Sequence, residues 1–288
     1  MQSANNSAVE HVRRAVIRHI SRARKALRQP SFDDDAVHDA RKNLKRARSG
    51  LRLLRPLDEA GYQRENMRLR NAARRLSAVR DDKILLARLA ELLAAEKKPA
   101  RRQLLLALRK ELRNERRRHW RALRSAEPKD YIEEVLGTAA RRVRKWRTPP
   151  DADAAPKLAV RRLYRQGRKA LARSRKDPTD ERLHEARKKA KHLGQALEIL
   201  GGKAAPKKAK KVFKRADDVG DLLGDDHDFA VVEARLLARP AGDAKVKKKL
   251  RARLETQRAR LQKKALAAAD KLFRKKTLRL LRRAAEAP

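Results

Sequence analysis

The sequence predicts an all-α protein, and three observations carry that expectation. No stretch of useful length alternates apolar and polar residues with period two, the signature of a half-buried strand. Leu, Ala and Val recur instead at helical intervals, and only 10 Gly and 11 Pro interrupt 288 positions. Two stretches offset by 146 residues, VHDARKNLKRARSGLRLL at 37–54 and LHEARKKAKHLGQALEIL at 183–200, are identical at seven of eighteen aligned positions. A match of that length marks a duplicated helical unit.

The elements follow in order. A first helix is expected over residues 8–28 and a second over 33–55, with Pro30 and Ser31 breaking the chain between them. Asp33, Asp34 and Asp35 complement the positive N-terminal end of the second. A third covers 57–95 with a bend near Arg80, and a fourth covers 99–125. A shorter helix over 129–147 has no counterpart later in the chain. The segment TPPDADAAP at 148–156 reads as a linker, because paired prolines and small polar residues do not continue a helix. It separates two units, 1–147 and 157–288. Helices are then expected over 157–175, 181–200, 206–239 and 243–285.

With 41% hydrophobic and 40% charged residues, a chain of this length can bury a sizeable core. Its formal charge of +44 is the dominant fact about its partners. Two cations about 7 Å apart repel by roughly 0.6 to 2.4 kcal/mol for effective dielectrics of about 80 to 20, so a polyanion would relieve strain in the folded body. Without cysteine there is no disulfide framework and no thiolate metal site, which suits a reducing cytosol. The N-terminus lacks an apolar signal region, and the longest apolar run, 104–108, is too short to span a bilayer. A soluble intracellular protein without membrane association is expected.

On a helical wheel, Val37, Ala40, Leu44, Ala47, Leu51 and Leu54 form the buried stripe of the second helix. Beside it His38, Arg41, Lys45, Arg48 and Arg52 form a cationic rail of roughly 21 Å at 1.5 Å per residue. In the second copy His184, Arg187 and Lys191 occupy that arc, while Gly194 and Glu198 replace its last two cations. Lys42, Arg46 and Lys188 fall on an outward arc. His38 and His184 have two open readings: a hydrogen bond to a neighbouring helix, or a direct contact with a bound anion when protonated. Asp225, Asp226 and Asp228 look like a metal-binding patch, but no Gly and Glu follow at EF-hand spacing, so neither metal nor cofactor is expected. His227 next to Asp228 is no proton-relay dyad, because neighbours on a helix point about 100° apart. The few aromatic residues read as core or rim anchors.

A weaker echo links Arg80 and Asp81 with His227 and Asp228 at an offset of 147. Together with the two H-[DE]-A-R-K helices, it resembles the CHAD family, the conserved-histidine α-helical domain, from about residue 8 to 285. The resemblance implies two four-helix bundles of long antiparallel helices, related by a pseudo-twofold axis, with a basic central groove or channel that binds inorganic polyphosphate. It also implies a place at cytoplasmic polyphosphate granules. Carried onto this sequence, the binding role falls in the first half on Arg18, Arg22, His38, Arg41, Lys45, Arg48 and Arg52. In the second it falls on Arg165, Arg168 and Lys169, then on His184, Arg187 and Lys191, and on the following helix on Lys207, Lys210, Lys214 and Arg215. Lys83 departs from the family, which carries a second acidic residue there, and could add charge to the site.

The leading expectation is therefore a binding module without catalysis. Nonspecific DNA or RNA binding through phosphates is the alternative, since a chain with an isoelectric point near 11.5 attracts any nucleic acid. A polyphosphate-processing enzyme would need a P-loop, a metal-carboxylate cluster or a base paired with the histidine, and the sequence offers none.

Overall fold

The computed structural model describes residues 8–125, 127–150, 152–201, 207–240, 242–274 and 277. The described residues form ten helices and no strand: α1 (Ala8–Leu27), α2 (Asp34–Leu54), α3 (Glu59–Arg75), α4 (Ser77–Ala95), α5 (Pro99–Arg124), α6 (Glu127–Arg144), α7 (Ala154–Lys176), α8 (Asp180–Gly201), α9 (Lys207–Ala238) and α10 (Ala244–Leu272). The expected helix end beyond residue 277 lies outside the described residues. The all-helical expectation holds. As the acidic start of α2 suggested, Asp33 is its N-cap, with Oδ1 accepting from the Asp35 and Ala36 amides at 3.0 Å each.

The expected third helix is two helices. They part at Leu76 (φ −91°, ψ 0°), four residues before the expected bend. Two donors converge there on the Ala73 carbonyl: the Ser77 hydroxyl at 3.2 Å and the Arg41 guanidinium at 2.8 Å. Side chains that compete for a ladder carbonyl break helices. In the second half the position of Ser77 is held by Gly224, which has no hydroxyl, and α9 runs unbroken.

Two apolar clusters hold the fold, and each draws helices from both halves of the chain. The larger joins α1, α2, α3 and α6 to α7, α8, the first half of α9 and the end of α10. The smaller closes α4 and α5 over the last turns of α9 and the first half of α10. The predicted stripe of α2 lies within the larger, with Val37, Ala40, Leu44, Ala47, Leu51 and Leu54 fully buried. Tight helix approach explains a feature the sequence left bare. A Cβ at Gly194 would lie 2.7 Å from the Ala216 Cβ, so the position equivalent to Arg48 admits no side chain.

Packing α2 against α8 brings equivalent positions of the repeat together. Ser49 Oγ donates to Gln195 Oε1 at 2.7 Å, and these residues are 146 apart. Arg46 pairs with Glu198 at 2.8 Å. The repeat partners of those two are His192 and Arg52, and they also meet: Arg52 is the strongest charge acting on His192. Reciprocity of this kind characterises a self-complementary interface.

Candidate cationic groove between the repeats

The rail of α2 meets α8 along this interface. Lys45 lies near its middle, its side chain open to solvent but surrounded by enough protein to desolvate the ammonium. That desolvation, together with repulsion from Arg41 and from Arg187 across the interface, lowers its pKa to about 8. Arg80 adds further repulsion, and Asp81 opposes it. Two turns along, burial lowers the pKa of Arg52 to about 10, with Tyr62 opposing and Arg48 adding repulsion. His192 faces this pair from α8. Desolvation, then Arg52, Lys189 and Arg48, push its pKa well below the usual imidazole value. Neither Lys45 nor Arg52 makes a hydrogen bond or an ion pair with any described residue.

Other members of the rail are engaged. Arg41 donates to the Ala73 carbonyl at 2.8 Å and the Ser77 hydroxyl at 2.5 Å, and it lies 3.7 Å from Asp81. Its equivalent, Arg187, donates to the Gly220 carbonyl at 3.1 Å, which is the repeat position of Ala73. Both arginines therefore anchor the second helix of their half to the third while keeping their charge beside Lys45. Arg48 donates to Asn66 at 2.9 Å, and burial lowers its pKa. Lys191 is neutralised locally by Asp217 at 3.1 Å and Asp221 at 2.9 Å.

His38 and His184 each lie near the N-terminal end of their helix. Burial lowers the pKa of His38, with Arg80 next in strength. Burial also lowers that of His184, with His227 next, and the two rings lie 5.0 Å apart. The buried His184 Nδ1 has no hydrogen-bond partner. The position of Arg80 in one half is that of His227 in the other, so each histidine of the repeat faces the same site on the next helix.

Several residues carried over by resemblance lie elsewhere. Arg18 and Arg22 are exposed on α1 and act, with Arg46, on His19, which bonds Asn43 at 2.9 Å. Arg165, Arg168 and Lys169 are exposed on α7. Lys207, Lys210 and Lys214 are exposed on α9, and Arg215 is half-buried. None of these is among the charges acting most strongly on Lys45, Arg52, His184 or His192. All three outward positions behave differently from expectation, Lys42 acting on His38. Arg46 pairs across the interface, and Lys188 acts on both His184 and His192. Lys83 pairs with Asp35 at 3.1 Å and Asp34 at 3.9 Å, so it caps the start of α2 instead of adding free charge. The acidic patch is spent on arginine: Asp225 on Arg88 at 2.5 Å and Asp226 on Arg258 at 3.1 Å, with Asp228 3.8 Å from Arg88. Sequence reasoning missed His192, Arg80 and Lys189. Their signal is relational, since only the packing of α2 against α8 and α4 brings them to the rail.

The CHAD domain family model matches residues 11–237. No curated protein matches the chain. Among solved structures, the CHAD domain from the plant Ricinus communis is similar over 98% of this chain and 92% of its own, with 21% identity and a TM-score of 0.62. PptA from Streptomyces chartreusis is similar over 98% of this chain and 100% of its own, with 15% identity and a TM-score of 0.65. At those identities the likeness concerns the fold. No described helix is long and apolar enough to cross a membrane. With the repeat, the helical architecture and the family match in agreement, the chain belongs to the CHAD domain family.

Proposed function

We propose that the chain binds inorganic polyphosphate, without turning it over, in the groove between α2 and α8. The reading follows the family, and one observation supports it above the others. Lys45 and Arg52 are desolvated cations without a partner, set among further cations from both repeats. Holding an unpaired cation charged where protein displaces its water is unfavourable, more so at half-buried Arg52 than at Lys45, which is open to solvent. A flexible polyanion would offset that cost. Polyphosphate has no base edges, so phosphate-directed donors at helical repeats are sufficient, with arginine forks and lysine point charges in complementary roles. Through this contact the protein would be held at polyphosphate granules.

Competition between long-chain polyphosphate and duplex DNA at equal phosphate concentration tests the reading. Polyphosphate should win by at least about tenfold, because an electrostatic footprint alone gives no preference between phosphate polymers. Parity would leave the alternative, nonspecific nucleic-acid binding through phosphates. Incubation with polyphosphate, magnesium and ADP, followed by phosphate and ATP assays, tests the absence of turnover. Product formation abolished by His38→Ala would make the protein an enzyme.

A further inference from the structure

A second basic groove lies outside the α2–α8 site. It is an open groove of about 1060 Å³ between α4 and α5, with Leu86 and Ala90 on one side and six arginines of α5 with Trp120 on the other. Four of these, Arg109, Arg113, Arg117 and Arg121, stand four residues apart, about 6 Å along the helix at each step. Like charges at that interval destabilise a helix. Three arginines of α10, by contrast, are neutralised. On α10, Arg251 pairs with Glu233 at 3.1 Å, Arg253 with Glu96 at 2.7 Å and Arg258 with Asp226 at 3.1 Å. On α5, Arg116 pairs with Asp34 at 2.5 Å, and Arg117 reaches only the neutral Asn114 at 2.5 Å. The side chains of Arg109, Arg113 and Arg121 make no hydrogen bond or ion pair with any described residue. The row is not a product of the duplication, because α10 carries no matching row of arginines at four-residue intervals.

We propose that this groove binds single-stranded nucleic acid, with phosphates along the α5 arginines and bases over the apolar side. Charge alone would suit any polyanion; the lining is more selective. Leu86, Ala90 and Trp120 offer apolar and planar surface that a bare phosphate chain cannot use. The Arg124 guanidinium lies 4.8 Å from the centre of the Trp120 ring, and Phe32 packs edge-on to that ring at 5.9 Å. The indole and the exposed guanidinium together form a wall of the groove, and bases stack on guanidinium planes as well as on rings. A duplex keeps its base faces stacked on one another, so a single strand is the form that uses this wall.

The test is binding of a fluorescent oligo-dT, about twelve nucleotides long, to the full chain. Arg113→Glu, Arg117→Glu and Arg121→Glu together should weaken it by more than about thirtyfold. Equal charge reversal at the exposed Lys208, Lys211 and Lys249 should weaken it less than about threefold. Trp120→Leu should weaken the oligonucleotide at least about fivefold while leaving polyphosphate affinity unchanged, and the three exposed arginine changes keep the test decisive if that variant unfolds. Lys45→Glu with Arg52→Glu should spare the oligonucleotide, so the proposal stands or falls apart from the polyphosphate reading. Equal losses from the α5 and control triplets would overturn it. So would loss of oligo-dT binding in the Lys45/Arg52 variant, equal affinity for a duplex, or tighter binding of a poly-glutamate peptide in the same groove.

Discussion

Ser49 on α2 donates a hydrogen bond of 2.7 Å to Gln195 on α8, and the two residues hold the same position in the repeat. The contact fixes the register in which the two cationic helices face each other, and it places Lys45 and Arg187 on one side and Arg52 and His192 on the other. Ser49 is fully buried, so Ser49→Ala leaves Gln195 without this donor. A loss of about 1 kcal/mol is expected, read as a lower urea midpoint at unchanged slope.

Gly194 tests the closeness of α8 and α9. An added methyl would stand 2.7 Å from the Ala216 Cβ, so Gly194→Ala should destabilise by about 1 to 3 kcal/mol despite its gain in helix propensity. Gly194→Arg, which copies Arg48 of the first repeat, should cost more. Thermal melts of both variants check the order.

Arg41 and Arg52 belong to one rail but should respond in opposite ways. Arg41→Met removes the guanidinium from the Ala73 carbonyl, Ser77 and Asp81, and should cost about 2 to 3 kcal/mol. Arg52→Met removes a desolvated cation that pairs with nothing, and should leave the free chain as stable or more so. Polyphosphate affinity should nevertheless fall by about tenfold or more in Arg52→Met. Urea unfolding with and without ligand separates the two effects.

The Lys45 pKa of about 8 makes stability depend on pH in a defined window. The unfolded chain carries the ordinary lysine pKa of about 10.5, so between about 8 and 10.5 it binds more protons than the folded chain and stability rises with pH. Below about 8 the full penalty of the charged ammonium is present. Lys45→Met should therefore melt higher than the wild type at pH 7, and the difference should shrink from pH 8 toward pH 10.

The same shift predicts proton uptake on binding. A polyanion beside Lys45 restores its charged form, so near pH 8.5 polyphosphate binding should take up protons. Calorimetry in two buffers of different ionisation heat reads the uptake directly, and Lys45→Met should reduce it.

The amino-acid order by itself determined the helices, the duplication and the α2 rail. Each is local or periodic: the stripe from Val37 to Leu54 repeats at the helical interval, Asp33 caps its own helix, and the 146-residue offset is a comparison of letters. Which cations come together was decided only by tertiary packing. Lys191 has the same spacing as Lys45, yet Asp217 and Asp221 of α9 neutralise it, while His192, one position along, turns toward Arg52. The break at Leu76 likewise lies where Ser77 and Arg41 of another helix both bond the Ala73 carbonyl. A charge pattern fixes the face of a helix on which a cation lies. Its partners come from other helices, and the rotation and register of those neighbours decide whether its charge is neutralised or left to meet a ligand.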